Sequence, residues 1–211
     1  VYLSTCLPVY LFPCFPIYPF PIHPPSGTML RHPTAQEIIE HFKLKPLPVE
    51  GGLFRQTWRS PDLFAPSALP DRYEGEKPFG TAILVLLTND SDSFSAIHCL
   101  PTDEVYHFYL GDPIEMLQLH PDGRSERIIL GQDIFNGQRV QYVARSNIWQ
   151  GFHLRPGGSW ALIGTTMAPG FTTSDFVLGE RNELLERYPH EAALITTLTR
   201  AEYPGGKIRE E

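Results

Sequence analysis

The sequence predicts an all-β sandwich or barrel with short helices at both ends. Three observations carry this. Between residues 53 and 168, short β-prone segments recur at spacings of roughly ten residues, set apart by turns bearing Gly or Pro. That span holds no alternation of strand and helix patterns, so βαβ units are excluded. Helical spacing is confined to a segment before the span and another after it.

Taken in order, Thr34-Ala35-Gln36-Glu37 reads as a capping box, with Ile38, Ile39 and Phe42 following at helical spacing. A helix over about 34–43 is expected, ended by Pro46 and Pro48. Leu53 to Arg59 alternates as a half-buried strand does. Residues 61–80 hold four prolines and read as a loop. Thr81 to Thr88 is a continuous apolar run, which fits a strand buried on both sides. Residues 94–98 and 103–110 continue the β pattern. Residues 114–120 and 124–130 flank Pro121-Asp122-Gly123, a hairpin signal. Residues 139–144, 148–154 and 159–168 complete the strands. The chain then turns helical at 183–187 and, after a break at Tyr188-Pro189, at 191–200. No internal repeat, phosphate-binding loop or paired CxxC is present.

Composition narrows the function classes. The 211 residues carry 24 acidic and 17 basic side chains, a net charge of −7. A nucleic-acid binder needs a basic face, so this class is excluded. Seven of the 21 prolines fall within the first 25 residues, together with Cys6 and Cys14, and no charged residue precedes Arg31. Prolines at that spacing break every helical turn, so no membrane span is expected there. Residues 1–28 read as an extension without a fold of its own, and residues 29–211 as one domain. Its single cysteine, Cys99, is compatible with a cytoplasmic setting.

Candidate site residues follow from strand parity. His98 shares parity with Phe94 and Ala96 and is expected to face the interior. Glu104 shares parity with Tyr106, Phe108 and Leu110, and a carboxylate on such a face must be paired. Its partner is either a ligand or a cation, with Arg55 the candidate. His107 is three residues from Glu104, so a regular strand sends the two to opposite faces unless a bulge re-aims it.

Larger stretches resemble a known family. Ser95-Ala96-Ile97-His98, then Glu104 and Gly111, is similar to the first motif of the cupin superfamily. The first His of that motif falls on Ala96. The second motif aligns with Arg145-Ser146-Asn147-Ile148-Trp149-Gln150, with Gln150 in place of a His. Glu50-Gly51-Gly52-Leu53-Phe54-Arg55-Gln56-Thr57-Trp58-Arg59-Ser60 resembles the opening of the cupin family of unknown function called Cupin-5. So do Asp103 to Tyr109 with Gly111-Asp112-Pro113, Trp149-Gln150-Gly151, Ser159 to Gly164 and Ala168 to Phe171 with Asp175-Phe176. The resemblance spans about residues 33–200. It implies a double-stranded β-helix, the cupin jelly roll, close to sugar-nucleotide 3,5-epimerases and commonly a homodimer.

The resemblance also implies a small-molecule pocket inside the barrel, with a carbohydrate-like ligand the natural guess. His98 and Glu104 are the expected catalytic pair for an isomerase- or epimerase-like reaction. Arg55, Tyr106, His107, Phe108, Trp149 and Gln150 are the expected ligand-binding residues. In epimerase-like cupins a carboxylate backs the histidine; Asp175 either plays that part for His98 or caps a turn. A non-catalytic ligand-binding module is the second reading. A metal-dependent enzyme is the third, and its divalent metal would rest on His98, Glu104 and His107.

Overall fold

A computed structural model of the chain describes residues 32–201 and 205–207. The proline-rich segment 1–28, and the expectation made for it, lie outside the described residues.

The first helix, α1 (Ala35–Phe42), is capped as its sequence dictates. Thr34 Oγ1 accepts from Glu37 N, and the Glu37 carboxylate accepts from Thr34 N at 2.9 Å. The chain then enters two sheets. The first runs in the order β1 (Lys45–Pro46), β2 (Leu53–Arg59), β5 (Thr81–Thr88), β12 (Trp160–Met167), β7 (Glu104–Gly111), β10 (Gln141–Ala144). The second runs β14 (Gly206–Lys207), β13 (Val177–Leu178), β6 (Phe94–Cys99), β11 (Trp149–Leu154), β8 (Ile114–Leu119), β9 (Ser125–Leu130). The predicted loop 61–80 adds a short pair, β3 (Leu63–Phe64) with β4 (Lys77–Pro78). Among the described residues, these strands pair antiparallel, and one isolated parallel bridge joins Leu130 to Arg139. Neighbours far apart in sequence, such as β5 beside β12 and β6 beside β11, give the jelly-roll winding.

Side-chain alternation sorts the residues into three apolar layers. Val85, Tyr106, Phe108, Met116, Ile128 and Phe152, among others, fill the space between the sheets. Ile38 and Leu44 press against Leu86 and Leu162 on the outer face of the first sheet. The outer face of the second sheet is covered by α2 (Arg181–Arg187) and α3 (Ala192–Thr197), with Leu184 and Ile195 packed on Ile97 and Leu117. The expected hairpin is present, with Gly123 at φ 90° and Asp122 Oδ1 accepting from Arg124 N at 3.1 Å. The break at Tyr188-Pro189 also stands, as a 3-10 turn over Pro189–Glu191. Among the described residues, no helix is long and apolar enough to cross a membrane.

Candidate functional site

His98 and Glu104 converge inside the barrel, 3.9 Å apart between Nε2 and Oε2. For His98 the route inward differs from the alternation expected. Across β6 and β11, Gln150 faces His98 while Phe152 faces Ser95, so β6 carries one extra residue in a bulge. Phe94 and Ala96 therefore pack into the outer layer against the helices, while Ser95 and His98 turn toward the cavity. The bulge's backbone groups all find partners. Ala96 N donates to Glu50 O, Ile97 N to Leu198 O, and Ile97 O accepts from Gly179 N, each at 2.8 Å. Gly151 sits opposite, where a Cβ would lie 2.9 Å from Ile97 Cγ1 and 3.0 Å from Ser95 O.

A second carboxylate reaches His98 from the other side. Glu50 Oε1 stands 4.0 Å from His98 Nδ1 and accepts from Ser95 Oγ at 2.7 Å. Its loop is sharply wound, with Val49, Gly51 and Gly52 at φ 66°, 105° and 69°. For a β-branched residue such as Val49 this conformation is strained and costs on the order of 1–3 kcal/mol. Arg200 holds the loop by donating to Val49 O at 3.1 Å. Sequence reasoning assigned Glu50 no role. The signal was a carboxylate set directly before two glycines, in a turn able to aim it inward.

The remaining polar groups fix this trio. Glu104 Oε2 accepts from Tyr106 Oη at 2.8 Å and from Gln150 Nε2 at 2.7 Å. His98 Nδ1 lies 2.8 Å from Ala96 O, to which it donates, so Nε2 is the nitrogen that titrates. Phe176 stacks on the imidazole at 4.9 Å. Gln150 Oε1 is buried without a partner.

Electrostatics follow from burial and charge. Burial is the strongest influence on His98 and disfavours its charged form. Glu50 and Glu104 together outweigh it and raise the imidazole to about 9. Burial also pushes Glu104 upward, but the bonds and charge of His98, with the hydroxyls of Tyr106 and Thr165, hold it below the usual carboxylate range. Glu50 goes the other way: burial raises it, and His98 and Ser95 only partly offset that. Burial and the neighbouring Glu104 keep the Tyr106 phenol protonated far above its ordinary range.

These groups line a cavity of about 140 Å³ between the sheets. Phe54, Phe152, Phe171 and Phe176 form aromatic walls, and the exposed Gln56 marks its mouth.

Other expected residues lie elsewhere. Arg55 is exposed and donates to Phe42 O at 3.0 Å, so it is not the partner of Glu104. His107 takes the opposite face of β7, near Thr166 Oγ1 and Gln141 Nε2 at 3.3 Å each. Phe108 is buried deeper in the barrel core, outside the cavity lining. Trp149 packs toward the outer layer, because its neighbour Gln150 takes the inward position. Asp175 does not back His98. It ion-pairs with the buried Lys77 and accepts from Thr172 N at 3.0 Å, capping a 3-10 turn.

The donors do not fit the divalent metal that the cupin resemblance implies. The position of the first motif histidine is Ala96, packed away from the cavity. Gln150 turns its NH2, not its oxygen, toward Glu104, and His107 faces outward. Among the described residues no group of three or more His, Cys, Asp or Glu side chains is arranged to hold a metal ion.

Known proteins bear on this arrangement as follows. A family model described as "Cupin superfamily (DUF985)" matches residues 36–179. A crystal structure of a Shewanella oneidensis protein is 29% identical, with a TM-score of 0.71, covering 81% of this chain and all of that one. A hypothetical protein from Leishmania major is 25% identical, with a TM-score of 0.68, covering 79% of this chain and 99% of that one. A dTDP sugar isomerase from Desulfovibrio desulfuricans is far more distant, at 15% identity and a TM-score of 0.41, covering 64% of this chain and 80% of that one. No curated protein matches.

Proposed function

This chain belongs to the DUF985 family of the cupin superfamily, and on that premise we propose that its barrel cavity is the site of a small-molecule isomerase or epimerase with a carbohydrate-like substrate. One observation carries the reading. An imidazole is held between two carboxylates, at 4.0 and 3.9 Å, on the wall of a cavity lined mostly by apolar side chains. Environments that push neighbouring titratable groups apart mark acid and base roles. His98, protonated at neutral pH, donates from Nε2 to a substrate carbonyl oxygen. Glu50, the carboxylate with the raised proton affinity, takes the proton from the adjacent carbon. Glu104 holds the imidazolium in place, and Tyr106 and Gln150 hold Glu104. From the enediol so formed, Glu50 delivers its proton to the former carbonyl carbon and His98 takes the proton of the neighbouring hydroxyl. The carbonyl thus moves by one carbon, both side chains return to their starting states and no oxidant or reductant is consumed.

Exchange of substrate hydrogen with deuterated water tests this on a panel of free aldoses and ketoses. The wild type incorporates deuterium at the carbon next to the carbonyl, and His98→Ala and Glu104→Gln lose roughly 10²- to 10⁴-fold in rate. Wild-type exchange in both variants would sink the assignment. Binding without exchange, lost in both variants, identifies a non-catalytic ligand-binding cupin instead. The homodimer remains part of the proposal; Phe135, 94% exposed, and Val140 beside the edge strand β10 support it. Sedimentation as a monomer at micromolar concentration would remove it.

A further inference from the structure

The charge pattern of the cavity wall restricts what enters it. Glu50, Glu104 and His98 are the ionisable groups of the wall apart from the Tyr106 phenol, and none of the lining residues is Lys or Arg. The buried Lys77 is already committed to Asp175 and Thr172. Arg59 stays at the exposed end of β2, outside the lining, and donates to Phe171 O at 3.1 Å. The wall thus presents two carboxyl groups to one imidazole, and no permanent cation. Between walls such as Phe54 and Phe152, water screens little, so a ligand anion finds no Lys or Arg to pair with and faces two carboxyl groups.

The two carboxylates differ in what they offer a ligand. Glu104 is bonded by Tyr106 and Gln150 and keeps 8% of its side-chain surface exposed. Glu50 keeps 19% and accepts from Ser95. Size adds a further limit. A cavity of about 140 Å³ is close to the roughly 150 Å³ that holds one benzene ring in an engineered core.

We propose that the part of the ligand entering the barrel is about one ring in size and carries no anionic group, and that Glu50 is the residue enforcing this exclusion. The proposal rests on the cavity being the ligand site, as in the preceding section, and adds the class of substrate it accepts. Phosphorylated sugars and sugar acids are then excluded unless their charge stays outside the mouth.

Calorimetric titration with matched pairs of free hexoses and their uronates tests it, since each pair differs by one carboxylate. For wild-type protein at least one hexose binds about tenfold or more tightly than its uronate. Glu50→Gln closes that gap. Gln56→Arg, a change at an exposed residue of the mouth, closes it as well and leaves Glu50 in place; melting curves confirm that both variants fold. A uronate that binds wild type as tightly as its hexose overturns the proposal. So does a gap that stays within about threefold of wild type in both variants, and so does the absence of binding by every pair. Intact selectivity with no deuterium exchange fails the acid–base assignment alone.

Discussion

Two buried charged clusters in this molecule follow opposite designs. Lys77 and Asp175 are 0% and 4% exposed and close on themselves. The ammonium pairs with Asp175 and Thr172 and lies 5.7 Å over the Tyr73 ring, while Thr172 N satisfies the second carboxylate oxygen. Neither residue lines the cavity. His98 is equally buried, at 2%, but its neighbours are left open. Its two carboxylates compete for one imidazole, Gln150 Oε1 has no partner, and a cavity adjoins them. A cluster whose bonding capacity is filled can only hold structure; one with capacity left over can act on something else. The two are joined through Phe176, which follows Asp175 in the chain and stacks on His98.

The closed cluster is where a single substitution costs most stability. Asp175→Asn leaves a buried ammonium without its counter-ion, and chemical denaturation should show a loss of about 3–5 kcal/mol. Replacing both members, Lys77→Met with Asp175→Leu, should recover most of it, because the desolvation cost disappears along with the attraction. A loss below about 1 kcal/mol for Asp175→Asn would mean that the pair is solvated, and the contrast with the site would collapse.

The open cluster makes stability depend on pH instead. The folded protein holds the His98 proton to about 9, against an ordinary 6.5. Folding therefore gains from the protonated imidazole fully below pH 6.5 and loses that gain as pH rises through about 9. The shift corresponds to no more than about 3 kcal/mol. The groups facing the ring are Glu50, Glu104, Gln150 and Phe176; His98 holds Glu104 below the usual carboxylate range, while burial raises Glu50. Denaturation at about pH 6 and about pH 9.5 should show the loss in wild type and little of it in His98→Asn. An equal slope in both proteins would place the titration elsewhere.

Local signals in the sequence specified most of the fold. The capping box of α1, the apolar run of β5 and the Pro-Asp-Gly turn of the hairpin each depend on residues within a few positions of one another. Half of the candidate site was legible for the same reason: Glu104 and Tyr106 alternate cleanly along β7. Glu50 and the place of Asp175 were not legible. Each depends on a partner far away in the chain, His98 for the first and Lys77 for the second. Arg55 failed as a partner because it alternates along β2 with Phe54 and Gln56, which line the cavity, so its own side chain points out toward α1.

His98 itself was placed inside by an argument that the bulge in β6 overrides, and this gives the smallest but sharpest test. Strict alternation would put His98 on the face of Phe94, in the outer layer. The extra residue between Ser95 and His98 reverses that, and the bulge fits only because Gly151 opposite it has no side chain. Gly151→Ala places a methyl 3.0 Å from the Ser95 carbonyl, a backbone atom that cannot swing away. The strain should cost about 1–2 kcal/mol, well under the loss at Asp175. Its effect on the site should be disproportionate, because the bulge also supplies the Ala96 carbonyl that fixes the imidazole tautomer. The His98 proton affinity, read by NMR of the ring, should fall toward its ordinary value while the fold persists. An unchanged affinity together with the stability loss would show that the two carboxylates alone hold His98, and that Gly151 serves packing only.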